Sequence, residues 1–367
     1  MKITFVAKGL SLAGGDRVIA IYAERLRKRG HDVHVVASGL WKPGLMDQFR
    51  SLIRGKGWLE FDAVAAQQTH LPPSVPHTRL STSRPVEERD VRDGDVVVAT
   101  WWETAEWVAK LSPSKGAKAY FIQHFEVFEY LPRARVEATW RMPFHKITIS
   151  QWLIDLARDT FGDSKASLVF NSVDTDQFHA PPRTKNAVPT IGFLYGDTKW
   201  KGTDVCLDAI KRLPFPVKVV TFSANVKDPS THWPLPPGSS YHYRPRQDFI
   251  REIYAQCDVW LCGSRSEGFH LPPLEAMACR CPVVSTAVGG PIDVIRDGVN
   301  GYVVPIEDAA GLANRLEQVL TLPEPEWKAM SDAAYDTAVR YTWDDATVLF
   351  EKALELAIER RKNGETS

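Results

Sequence analysis

The chain has 367 residues, 44% of them apolar and 25% charged, enough to build two sizeable cores. Lys plus Arg equals Asp plus Glu at 45 each, which removes the usual electrostatic argument for a nucleic-acid partner. No run of about eighteen apolar residues occurs, and the opening MKITFVAKGL reaches Lys8 too soon for a secretory leader, so a cytoplasmic chain without a membrane span is expected.

The first half alternates strand-like and helix-like segments. KITFVA (2–7) reads as a strand, followed by a glycine-containing loop with Gly14 and Gly15. A helix over 16–30 has Val18, Tyr22 and Leu26 on one stripe and Gly30 as its C-cap. DVHVVA (32–37), DVVVAT (95–100), KAYFIQ (118–123), KITIS (146–150) and SLVFNSV (167–173) continue as strands, and QWLIDLARDTFG (151–162) as a helix. Near-continuous apolar strands in this order predict a parallel sheet covered by helices on both faces. Between them, 40–58 mixes Trp41, Leu45, Met46, Phe49, Leu52, Ile53 and Trp58 with Arg50, Arg54 and Lys56. Two readings stand: a membrane-surface helix, or a helix packed on its own domain with a solvated basic face.

A polar, Pro-rich stretch (179–189) reads as a linker. The pattern then restarts: TIGFLY (190–195) as a strand, a loop carrying Lys199 and Lys201, and a helix over 203–213. VKVVTF (217–222), DVWLC (258–262), PVVST (282–286) and GYVVP (301–305) follow as strands. A last helix, 343–362, has no strand after it and is free to pack back on the other domain. The expected domains are 1–178, 190–342 and this terminal helix within 343–367. Neither first turn has the G-x-G-x-x-G spacing of a dinucleotide site, and no P-loop lysine motif occurs. Five cysteines, all in the second half, lack zinc-site spacing and read as reduced, buried thiols.

Chemistry concentrates at SRSEGFHLPPLEAMA (264–278), a loop after a strand that opens a helix at Pro272. Ligands of open parallel sheets bind beyond such strand ends, and a helix start favours an anion. Glu267 precedes the helix and Glu275 is expected in its first turn. Gly268 lets backbone come close to a ligand, and Pro272 and Pro273 suit first helical positions. A capping box would need Ser or Thr where Pro272 stands.

EGFHLPPLEAMA resembles the signature E-G-F-G-x-x-x-x-E-A-M-A of the retaining, nucleotide-sugar-dependent glycosyltransferases of family 4, with His270 in place of the usual glycine. AVGGPIDVIRDGVNGYVVP (287–305), FNSVDTDQF (170–178) and LAGGDRVIAIYAERLRKRGHDVHVV are similar to further segments of that family, in the same order. The resemblance implies the GT-B fold: an α/β chain with two Rossmann-like doubly wound domains facing a cleft and a C-terminal helix returning to the first. It implies that Glu275 meets the donor ribose, and that Glu267 with Gly268, Phe269, His270 and Leu271 holds donor sugar and phosphate. Lys201, in KWKG, would neutralise the departing diphosphate. Tyr195 stands where many relatives carry an arginine, leaving Lys199 as a substitute cation. Gly14 and Gly15 would admit phosphate or acceptor to backbone N–H groups, and His124, with Glu126 as neighbour, resembles the family's active-site histidine. ATWWETAEW with FIQHFE resembles the rhamnosyl and other deoxysugar transferases of the family.

The implied activity is retaining transfer from a nucleotide-diphosphate sugar to a hydroxyl of a glycan or lipid-linked acceptor, without a cofactor or required metal. The D-x-D look-alikes at 93–95 and 174–176 are set aside as turn residues. A sugar-nucleotide epimerase, a phosphorylase and a non-catalytic nucleotide-sugar-binding protein are the competing readings.

Overall fold

A computed structural model describes residues 1–40, 42–55, 57–59 and 68–366. The chain divides into two compact units. One holds 1–148, 153–169 and 347–367; the other holds 149–152 and 170–346.

The first unit runs β1 (Lys2–Ala7), α1 (Gly14–Lys28), β2 (Asp32–Ala37), α2 (Leu45–Ile53), β3 (His77–Arg79), β4 (Val96–Ala99), α3 (Trp102–Ala109), β5 (Ala117–Ile122), α4 (Arg133–Trp140), β6 (His145–Thr148), α5 (Gln151–Phe161) and β7 (Ser167–Leu168). Among the described residues its seven strands are all parallel, in the order β3-β2-β1-β4-β5-β6-β7. The central strands β4 and β5 are buried along their whole length, which is why they read as unbroken apolar runs. SLVFNSV pairs only through Ser167 and Leu168; from Phe170 onward the chain belongs to the second unit.

The second unit runs β8 (Thr190–Leu194), α6 (Thr203–Lys211), β9 (Lys218–Ser223), β10 (Ser240–Tyr243), α7 (Ile250–Ala255), β11 (Val259–Cys262), α8 (Leu271–Ala278), β12 (Val283–Thr286), α9 (Gly289–Val294), β13 (Gly301–Val304), α10 (Ala309–Thr321), α11 (Glu324–Val339) and the start of α12 (Trp343–Lys362). Its parallel sheet has the order β10-β9-β8-β11-β12-β13. The strand order reverses between β8 and β11, the switch point at which open sheets bind ligands. The Pro-rich 179–189 stretch is packed onto this unit. The buried Asp258 carboxylate accepts from Arg183, from Asn186 and from the Thr190 N–H, and Lys185 Nζ donates to the Leu320 carbonyl.

The rest of α12 belongs to the first unit. Phe350 stacks on Tyr22 with ring centroids 4.2 Å apart and meets Phe121 edge-on at 5.0 Å. Glu351 takes Arg29 and His31 at 2.5 and 2.8 Å. His145 is held in its neutral form: Nδ1 accepts from Arg360 at 2.8 Å, Nε2 donates to Ser167 Oγ at 2.9 Å, and burial brings its pKa down to about 4. All five cysteines are free and buried.

Candidate active site in the second unit

Two loops meet at the β8/β11 switch point because glycines let them. Gly202 closes the loop after β8 in a left-handed conformation (φ 63°), and a Cβ there would lie 1.8 Å from the Gly263 carbonyl oxygen. Gly263, just after β11, has no room for one either, since it would meet the Gly202 oxygen at 2.7 Å and Cys206 Sγ at 2.8 Å. A Cβ on Gly196 would strike the Lys201 side chain at 2.7 Å, so glycine there clears the path of the lysine. Thr203 ties the loop shut, donating to the Gly196 carbonyl and accepting the Gly196 N–H at 2.7 and 3.0 Å. Arg265 braces both loops. Its guanidinium pairs bidentately with Asp204, bonds Glu307 and donates to the Lys199 carbonyl, while its own N–H reaches the Trp200 carbonyl at 2.8 Å.

This frame brings Lys201 and Glu267 together. Lys201 Nζ lies 2.9 and 3.2 Å from the two Glu267 oxygens. Ser264 Oγ donates to Oε1 at 2.9 Å, and His270 Nδ1 stands 3.2 Å from the same oxygen. The lysine side chain is 33% exposed and the carboxylate 10%, so the cation faces solvent while the acid sits behind it. Burial pushes the Glu267 carboxyl up, but His270, Lys201 and Ser264 outweigh it and hold the group below its ordinary range. Burial also drives His270 down to about 4, against the pull of Glu267. At neutral pH the ring is therefore uncharged, and the charge partner of Glu267 is Lys201. Lys201, Ser264 and His270 line a small pocket with Leu194, Cys206, Leu261, Cys262 and Gly263.

His270 has φ 73°, in the left-handed region that favours glycine. A histidine there costs about 1–3 kcal/mol of backbone strain; its ring is buried, with Nδ1 3.2 Å from Glu267 Oε1. It is the N-cap of α8, and the helix begins one residue before Pro272. Since Pro272 and Pro273 have no N–H, Leu271 supplies the N–H donor of the first three helical positions.

Glu275 lies beyond the first turn of α8, not within it. It is buried, and its Oε2 accepts from Tyr254 at 2.8 Å. Burial and this carboxylate keep the Tyr254 hydroxyl protonated, as its strongly raised pKa reflects. Phe269 is buried, whereas Lys199 is exposed and enters the site's frame through its carbonyl. Gly268 offers its carbonyl to Ser150 Oγ and Trp152 Nε1, both at 2.9 Å and both from the 149–152 segment of this unit. Tyr195 is buried and spent on structure: its hydroxyl lies 3.1 Å from the Pro229 carbonyl and takes the Trp233 N–H at 3.0 Å.

Sequence reasoning passed over Gly289 and Gly290 as site residues. Added Cβ atoms there would meet the Phe269 carbonyl oxygen at 2.8 and 2.7 Å, and the Gly290 N–H donates to that oxygen. The signal was the paired glycine itself, opening α9 shortly after β12.

The first unit holds the other predicted residues. Gly14 and Gly15 are the exposed first two residues of α1 rather than part of the loop before it. His124 follows β5, half-buried, with Nδ1 2.9 Å from the Phe125 carbonyl and its ring stacked on Phe128 at 5.1 Å. That bond fixes the neutral tautomer with Nε2 as the acceptor nitrogen. Glu126 is buried and accepts the Trp102 N–H at 3.3 Å; burial pushes its carboxyl well up, towards the protonated form. The D-x-D look-alikes serve turns: Asp174 caps the N–H groups of 176 and 177, Asp93 holds Ser114 and Lys115, and Asp95 takes the Lys2 N–H.

With this geometry in view, comparison with known proteins is informative. Residues 187–321 match the family Glycosyl transferases group 1. The matched segment runs from β8 to the end of α10 and contains Lys201, Glu267, His270 and Glu275. The D-inositol 3-phosphate glycosyltransferase of Mycobacterium avium is 36% identical over 135 residues, which are 35% of this chain and 30% of the relative. The N-acetyl-alpha-D-glucosaminyl L-malate synthase of Bacillus anthracis is 41% identical over 75 residues, 20% of each chain. The chain spans less than half the length of such curated relatives. Likeness of fold extends much further. Anabaena HepE in complex with UDP-glucose superposes with a TM-score of 0.71 at 16% identity, covering 97% of this chain and 99% of that one. Two parallel-sheet Rossmann-like domains in tandem, the GT-B fold, are thus common to this chain and to solved glycosyltransferases.

Proposed function

We propose that this chain is a retaining glycosyltransferase that moves a sugar from a nucleotide-diphosphate donor to a hydroxyl of a glycan or lipid-linked acceptor. The observation that carries the reading is the Lys201–Glu267 pair at the β8/β11 switch point, beside the start of α8. An ammonium has three N–H groups; two bonds to Glu267 leave the third for a phosphate oxygen. Lys201 then stabilises the charge that builds on the diphosphate as it leaves, at a place where Glu267 holds it oriented. Glu275, fixed by Tyr254, accepts from the ribose hydroxyls, and the backbone of 268–271 lies against sugar and phosphate.

In the reaction the bond from sugar C1 to the diphosphate oxygen breaks and the acceptor oxygen bonds C1 on the same face. The acceptor proton passes to the departing diphosphate, so no nucleophilic carboxylate and no metal ion is required. The first unit takes the acceptor, with Gly14 and Gly15 at an open helix start and His124 as its candidate active-site histidine. A uracil base is favoured for the donor, because HepE is solved with UDP and UDP-glucose. A deoxysugar such as rhamnose stays on the list of sugars to screen.

Calorimetric titration of UDP, GDP and dTDP into wild type and Glu275→Ala tests the site. Binding of one nucleotide, weakened about tenfold or more in the variant, is expected. Binding of that nucleotide undiminished in Glu275→Ala removes the ribose assignment. Transfer assays with the corresponding sugar nucleotides, with the product anomer read by NMR and with EDTA present, test retention and metal independence. An inverted anomer or loss of activity on chelation overturns those parts.

A further inference from the structure

The helix α2 is built inside out. Its buried residues are Gln48 and Ser51. The Gln48 amide donates to the Leu59 carbonyl at 2.8 Å and accepts the Leu59 N–H at 2.7 Å, while Ser51 Oγ donates to the Gly57 carbonyl at 2.7 Å. These polar side chains tether the helix to the segment that follows it. The apolar ones face out: Leu45 is 86% exposed and Ile53 70%, and Met46, Phe49, Leu52 and Trp58 are exposed as well. At about 100° per residue the five helical positions fall within an arc of about 120°. Single exposed apolar residues are ordinary, but a stripe of this kind marks an interaction surface. Of the packed-helix reading of 40–58, the solvated basic face is present at Lys42, Arg50 and Arg54, but the apolar stripe is exposed instead of packed; Trp41 and Lys56 lie outside the described residues.

Charge indicates what covers the stripe. Lys42, Arg50 and Arg54 are exposed on the same segment, and Arg50 borders the apolar arc. The acid within the helix, Asp47, accepts the Gly44 N–H at 3.0 Å at the helix start. A second copy of this chain docking α2 on α2 would bring Arg50 and Arg54 against their own kind. An anionic lipid surface instead pairs with the arginines, accepts the apolar arc at the boundary of headgroups and acyl chains, and suits an indole at that depth.

We propose that α2 and Trp58 form a membrane-surface anchor that seats the first unit on an anionic bilayer. The proposal is independent of the transferase reading, since none of its residues belongs to the second unit.

Co-sedimentation of the full chain tests it, using vesicles of phosphatidylcholine alone or mixed with phosphatidylglycerol. Partitioning into the mixed vesicles, weakened by salt, is expected. The double variant Phe49→Ser/Ile53→Ser should lower it about a hundredfold. Arg50→Gln/Arg54→Gln should lower it about thirtyfold, and only on the anionic vesicles. These side chains are exposed, so thermal unfolding of both variants should match wild type. A second measurement needs no variant: amide exchange at 45–53 slows when mixed vesicles are added to wild type. Equal partitioning of wild type and Phe49→Ser/Ile53→Ser, or unchanged exchange at 45–53, overturns the proposal. So does a concentration-dependent dimer that Phe49→Ser/Ile53→Ser abolishes without any vesicle binding by wild type.

Discussion

The two units solve the same local problem in opposite ways. Each begins with a strand, a glycine-bearing segment and a helix. In the second unit the glycines are jammed: Gly202 lies against the Gly263 carbonyl and Gly196 against Lys201, with Arg265 bolting the loop from outside. In the first unit a Cβ on Gly14 would meet nothing within 4 Å, and one on Gly15 would make ordinary contact with Gln123 at 3.5 Å. The same sequence signal, glycine after a buried strand, thus marks a rigid frame for a charged pair in one unit and open space at a helix start in the other. Glycine can be required by the protein's own backbone, or it can leave room for something else to approach.

The largest effect should come from breaking the jammed side. Gly202→Ala combines a left-handed φ with a backbone collision and should destabilise the second unit by about 3–5 kcal/mol, read as a lower Tm. A Tm within a degree or two of wild type would mean that the two loops separate freely. Lys201→Ala should lower turnover about a hundredfold to a thousandfold while sparing most nucleotide affinity, checked by kcat and by calorimetry. Turnover near wild type would strip the pair of its proposed role.

Acid should act on both units, most strongly through one histidine in each. His145 and His270 have folded pKa values of about 4, each depressed by burial from the ordinary 6.5. Below pH 6.5 the unfolded chain takes up protons that the folded one refuses. Stability is therefore full above that pH and falls as pH drops towards 4, by about 3 kcal/mol for each histidine. The lowered pKa of Glu267 has the same sign: its contribution is present above the unfolded carboxyl pKa and is lost as pH falls through the folded one. Urea unfolding at pH 7 and pH 5 should show the slope, and His145→Asn and His270→Asn should each remove one unit's share. A slope unchanged in both variants would place the acid sensitivity elsewhere. Smallest of all, Gly14→Ala should leave stability within about 1 kcal/mol of wild type. If transfer then falls while Tm holds, the open space serves a ligand.

Strands buried on both faces were legible, because unbroken apolar runs such as Val96–Ala99 and Val259–Cys262 have few other uses. The edge strands β3 and β10 were not. His77–Arg79 and Ser240–Tyr243 are short and mostly polar, and tertiary pairing rather than pattern makes them strands. At the site, Glu267 and Lys201 were readable as residues, but their meeting depends on Gly202 and Gly263, 61 positions apart, approaching at backbone distance. Glu275 falls one residue past the first turn instead of within it, because α8 starts at Leu271, one residue earlier than read, after a left-handed His270 that no propensity favours. The tether from Tyr254 to Glu275 spans two helices and leaves no local trace. The outward apolar face of α2 was visible as a stripe but not as to direction; that is decided by Gln48 and Ser51 finding backbone partners at 57–59.

Phe350 belongs to the core of the first unit, stacked on Tyr22 and Phe5 and edge-on to Phe121, yet it is made 229 residues after Phe121 and more than 300 after the other two. On the ribosome the earlier part of that unit must wait with this aromatic face uncovered while the whole second unit is synthesised. The second unit, made mostly of one continuous stretch from 170 to 346, has no such delay. Birth order and completion order are therefore inverted: the half that emerges first is finished last, and a chaperone that shields nascent apolar surface has most to protect at the face that α12 will later close.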